Sequence, residues 1–161
     1  MLASQITADD RQTRQKPAGK AAGSGYVIID LTNDPSWRHT VQAGLIEHAN
    51  RYFNGGQALG LQVTTKLLLE PALAFCAKFT GDEIIMATDG AFDVDRYKEG
   101  SITMTKAFSE ERVSPLCAHY AATSTEDLKQ RFGKRQVVLA CIFIYANHLI
   151  KNSQRDERFI K

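Results

Sequence analysis

Apolar positions along the chain fall into short runs and helical stripes separated by turn residues. Tyr26-Val27-Ile28-Ile29-Asp30-Leu31 is β-branched and apolar, which predicts a buried strand. A helix start follows at once: Asp34 supplies an N-cap oxygen and Pro35 suits the first helical position. Trp37, Val41, Leu45, Ala49, Tyr52 and Phe53 then recur at three- or four-residue spacing, one face of a helix, and Asn54-Gly55-Gly56 stops it.

Leu61, Val63, Thr65, Leu67 and Leu69 alternate with mainly polar neighbours, which predicts a second strand. Pro71 opens a short helix toward Phe79, closed by Thr80-Gly81. Glu83 to Thr88 reads as a third strand and Ser101 to Thr105 as a fourth, with an acidic loop between them. A helical region follows from Ser109, broken near Pro115. Thr125 to Phe132 reads as a helix ended by Gly133. Lys134 to Asn152 reads as a buried helix, its Val- and Ile-rich stretch leaving a strand as the alternative.

The order β-α-β-α-β-β followed by helices predicts an α/β or α+β fold. A small mixed sheet of about four strands would be covered by helices, with a helical C-terminal part. Residues 26–152 form the expected single domain. Residues 1–25, small, polar and unpatterned around Lys16-Pro17, read as a flexible basic tail, and 153–161 as a short charged one.

Composition supports a globular body: 161 residues, 43% hydrophobic and 24% charged. The net charge of +2 is too small to mark a nucleic-acid binder. Its distribution is more telling. Arg11, Arg14, Lys16 and Lys20 oppose only Asp9 and Asp10 in the tail, an arm suited to an acidic partner. Residues 82–99 are acidic, and Lys134, Arg135, Lys151, Arg155, Arg158 and Lys161 make the C-terminal part basic. Cys76, Cys117 and Cys141 sit in apolar settings and are odd in number. Free thiols in a reducing, cytoplasmic setting are expected rather than a disulfide framework. The longest apolar run, Val137 to Ala146, is ten residues against the about 20 a membrane span needs, so no membrane contact is expected.

Candidate chemistry gathers at strand ends. Asp30 ends the first predicted strand and Asp89 the third, with Asp93 and Asp95 in the next loop. In an open α/β sheet ligands bind beyond the carboxyl ends of the strands. Adjacent first and third strands would bring these carboxylates together, and Mg²⁺ would relieve their repulsion and hold a phosphate substrate. The alternative is an ordinary solvated acidic loop, in which Asp residues turn the chain.

Two fragments resemble known families. Ile84 to Asp89 resembles the strand before the acidic motif of topoisomerase–primase domains, with Asp30 standing where that family carries Glu. Its Asp-x-Asp is displaced here to Asp93-Val94-Asp95. Val27 to Thr32 resembles the strand of haloacid-dehalogenase-like phosphatases that ends in a nucleophilic Asp. Val63-Thr64-Thr65 and Asp89-Gly90-Ala91-Phe92-Asp93 resemble later motifs of that family, although Thr32 replaces the usual general-acid Asp. That resemblance implies Lys66 or Lys78 as the phosphate-binding lysine.

Other constellations are weaker. Cys117 and His119 point apart on a helix, and His39, His48 and His148 lack a second ligand at i+4. No complete catalytic motif is present. The expectation is therefore a non-catalytic binding or accessory protein, acting through contacts with an unidentified protein or with nucleic acid through its basic arms. A Mg²⁺-dependent phosphoester or phosphotransfer enzyme is the alternative, and a self-assembling homo-oligomer a second one. No cofactor beyond that Mg²⁺ is expected.

Overall fold

The structure is a computed structural model and describes residues 25–52, 65–125 and 132–160. Strand β1, Tyr26–Thr32, pairs antiparallel with β2, Lys98–Thr105. Between them run helices α1, Pro35–Tyr52, α2, Lys66–Cys76, and α3, Gly81–Thr88. After β2 come one short turn of helix, α4, Lys106–Phe108, and a π-helical segment, Ser109–Val113. Helix α5, Ser114–Ala122, and the long α6, Lys134–Ile160, complete the described chain.

This is a small α+β domain, and the expected sheet of about four strands is corrected to two among the described residues. The described end of one missing strand, from Lys66 on, and the whole of the other are helix. At the first, Leu68, Leu69, Ala72, Leu73 and Cys76 are all buried, a spacing that fits 3.6 residues per turn. Leu68 and Leu69 are both buried, which a strict two-residue alternation through Leu67 and Leu69 does not allow. Helix α2 therefore starts well before Pro71, which sits inside it rather than opening it.

At the second, Thr80 and Glu83 form a reciprocal capping box. The Glu83 N–H donates to Thr80 Oγ1 at 3.2 Å and the Thr80 N–H to Glu83 Oε1 at 2.8 Å. That start signal outweighs the β-preference of Ile84 and Ile85, of which only Ile84 is buried.

Other expectations hold. Asp34 caps α1, its Oδ1 accepting from the Ser36 N–H at 2.9 Å, with Pro35 first in the helix. The stretch after Lys134 is helix, not strand, and α6 runs on past Asn152. The helix stop at Asn54-Gly55-Gly56, the positions Leu61 and Val63, the body of the helix expected between Thr125 and Phe132, and the N-terminal tail lie outside the described residues.

Helix α6 is the axis of the domain. Val137 to Phe143 are buried without interruption, and Tyr145, Ala146 and Leu149 continue the core. A helix apolar on every side must be enclosed, and α1 and α2 flank it while β1, α3 and α5 complete the enclosure. At Gly44, α1 and α6 come close. A Cβ there would lie 2.5 Å from the Ala146 Cβ and 2.7 Å from its Cα, so only glycine lets the two backbones meet. The sheet packs its Ile29, Leu31, Ile102 and Met104 face inward and leaves Tyr26 and Ile28 exposed on the other.

Candidate functional site

The predicted acidic residues separate into three settings. Asp30 does not end a strand: it lies opposite Ser101 in the β1–β2 ladder, and its carboxylate stands 3.5 Å from the exposed Lys98 Nζ. The neighbour of β1 is the strand predicted as the fourth, because the segment predicted as the third is α3.

Asp89 is the C-cap of α3, followed by Gly90 at φ 74°. Asp93 organises its loop. Its Oδ1 accepts from the Asp95 N–H at 2.9 Å, and its own N–H donates to Asp34 Oδ2 at 3.1 Å. Asp34 thus caps α1 with one oxygen and holds the acidic loop with the other.

Asp89 and Asp95 do meet on one cavity of about 480 Å³. It lies between the end of α3 and the start of α6, with Ile84, Phe92 and Val137 as apolar lining. Asp30 and Asp93 are not part of that lining. Among the described residues no three His, Cys, Asp or Glu side chains group in a way that could hold a metal ion.

The two candidate phosphate-binding lysines are also apart. Lys66 opens α2, while Lys78 follows its end with Nζ 4.3 Å from the centre of the Phe75 ring, a cation–π contact. Twelve residues of largely helical chain put them on the order of 18 Å apart. The tail cations Arg11, Arg14, Lys16 and Lys20 lie outside the described residues.

The three thiols are free and lie near one another, facing Tyr120. Cys76 Sγ is 3.7 Å from the Cys141 carbonyl, and the Tyr120 hydroxyl donates to the Cys76 carbonyl at 2.5 Å. The hydrogen bond to the Cys141 side chain, and then burial, push the Cys76 thiol far up. Burial likewise raises Cys117 and Tyr120. Cys76 and Cys117 so raised stay protonated, which suits a core rather than a nucleophile.

A different feature stands open. A groove of about 620 Å³ lies between β2 and α1. Leu31, Trp37, Val41 and Ile102 form its floor, all of them core residues, and Arg38, Lys66 and Glu99 stand at its rim. Arg38 and Glu99 are only loosely paired, at 4.0 Å, and Lys66 makes no ion pair among the described residues.

The groove runs along Glu99–Thr103, in the strand whose second edge carries no ladder among the described residues. The two edges of the sheet are not equivalent. Beside β1, the Arg135 guanidinium donates to the Asp30 carbonyl at 3.0 Å and the Leu31 carbonyl at 3.4 Å. Along β2, Lys98 and Glu99 charge one end and Gly100 adopts φ 80°, but Ser101 to Thr105 holds neither charge nor proline. Charge and proline are how sheets protect an edge from pairing.

Sequence reasoning placed Trp37 and Val41 on a helix face and Ile102 in a strand without joining them. The legible signal was the uncharged Ser-Ile-Thr-Met-Thr run, an alternating strand with no edge protection.

No protein-family model, curated protein or solved structure matches the chain.

Proposed function

We propose that this chain is a non-catalytic binding protein that docks a partner polypeptide in the groove between β2 and α1. The observation that carries the reading is the unprotected edge of β2 beside an apolar floor. Strand groups with no ladder partner among the described residues and an adjoining hydrophobic trough together offer both backbone hydrogen bonds and side-chain burial to a protein ligand. The basic arm with Arg11, Arg14, Lys16 and Lys20 fits the same reading, since it would steer an acidic partner toward the domain.

The test is site-specific photocrosslinking in cells that express the chain. A photoreactive phenylalanine replaces Thr103 at the groove in one variant and Met86, exposed on α3, in another. A discrete polypeptide adduct from position 103 that is missing from position 86 is the expected result. Equal labelling at both positions, or none at 103, would sink the docking site.

A further inference from the structure

Resting on that docking reading, we infer that the occupant is a single extended segment with alternating apolar side chains and an acidic residue, added as a third strand along β2. Three observations lead there.

The first is the edge itself. A two-stranded sheet is marginal alone, and a third strand gives it the hydrogen-bonded neighbour it lacks among the described residues. The edge beside β1 is occupied at its bulge by Arg135, so β2 is the edge that can accept one.

The second is the shape of the space. One wall is β2 and the other is α1, from Trp37 to Leu45. A lone strand fits between a strand and a helix. The β2 edge of a second copy brings its own β1 and α1 with it, which makes the single segment the better occupant. An added strand turns alternate side chains to the two faces of the sheet. One set would meet the floor at Trp37 and Val41, and the other would lie beside the exposed Thr103.

The third is charge. Lys66 stands at the rim with no ion pair among the described residues, and Arg38 is held only at 4.0 Å by Glu99. A carboxylate on the incoming segment complements both cations, whereas a basic segment would be repelled.

The experiment uses the full chain as bait for a displayed library of random peptides about ten residues long, the upper length of an ordinary strand. A groove-filling Gln42→Trp variant with an unchanged melting temperature serves as the counter-bait. The expected winners alternate apolar residues, carry Asp or Glu and bind the counter-bait poorly. Methylating their backbone nitrogens at alternate positions should weaken binding about tenfold or more in one register and little in the other, because only one set of N–H groups faces β2. Lys66→Glu should weaken them by about two- to five-fold, the size of an exposed ion pair.

Winners that depend on the groove but show helical spacing, or tolerate methylation in both registers, overturn strand addition and leave the docking reading intact. Bait and counter-bait that select alike overturn both. Sedimentation showing a dimer of the chain alone that Gln42→Trp dissolves would give the groove to a second copy and overturn the peptide occupant.

Discussion

The indole N–H of Trp37 donates to the Leu139 carbonyl at 2.9 Å, across 102 residues of chain. Leu139 lies in the first half of α6, so this bond fixes the start of α1 against the central helix. Trp37 is also buried at 2% exposure and forms part of the floor of the groove. One side chain therefore ties the core to the proposed docking surface. Trp37→Phe should cost about 1–3 kcal/mol, from the lost hydrogen bond and the smaller ring, and Trp37→Ala about 3–5 kcal/mol. Urea unfolding followed by circular dichroism measures both; equal losses for the two variants would contradict this account.

Gly44 presents two opposed effects. Alanine in the middle of α1 gains about 1 kcal/mol of helix propensity. Its Cβ would, however, meet both Cβ and Cα of Ala146, and a buried helix backbone cannot step aside as a flexible side chain can. Overpacking, at about 1–3 kcal/mol, should win, so Gly44→Ala lowers the melting temperature. Adding Ala146→Gly should recover part of the loss, and a double-mutant cycle without coupling would show that the helices do not touch there.

The capping box of α3 should be measurable by itself. Thr80→Ala removes the acceptor of the Glu83 N–H and should destabilise by about 0.5–2 kcal/mol, while Thr80→Ser retains the acceptor and most of the stability. Equal melting temperatures for the two variants would show that the cap contributes nothing.

Stability should fall with acid through His48. Burial first, and the neighbouring Arg51 charge second, hold this imidazole below its ordinary protonation range. The unfolded chain therefore binds a proton at a pH where the folded chain does not. The resulting stability is present above the ordinary histidine value of about 6.5 and is lost as pH falls through that value toward the lower folded one. Melting curves between neutral and mildly acid pH should show a steeper decline for wild type than for His48→Gln. Parallel curves would remove His48 from the acid response.

The acidic loop should act as structure rather than as a Mg²⁺ site. Asp93 spends one carboxylate oxygen on the Asp95 N–H, and Asp30 faces Lys98 on the sheet, away from the Asp89–Asp95 cavity lining. A thermal titration with Mg²⁺ or Mn²⁺ should leave the melting temperature unchanged in wild type and in the Asp89→Asn/Asp93→Asn variant. A metal-dependent rise that the variant loses would revive the phosphoester reading, since a ligand of the folded state raises its melting temperature by mass action.

The sequence by itself determined what depends on near neighbours. Asp34-Pro35 starts α1 because the cap oxygen and the fixed proline φ act within one turn, and Val137 to Ala146 had to be largely enclosed because the run carries no charged side chain and is almost wholly apolar. The Thr80–Glu83 box was equally local, yet the short β-branched run after it matched a strand as well as a helix, and only the packed structure chose. Tertiary structure alone decided that β1 pairs with β2 across most of the domain, which removed the strand ends where Asp30 and Asp89 were to converge. It alone set Trp37, Val41 and Ile102 around one groove beside an unprotected edge. Periodicity reports which face of an element is apolar; which elements those faces meet is settled by long-range packing, which local spacing does not encode.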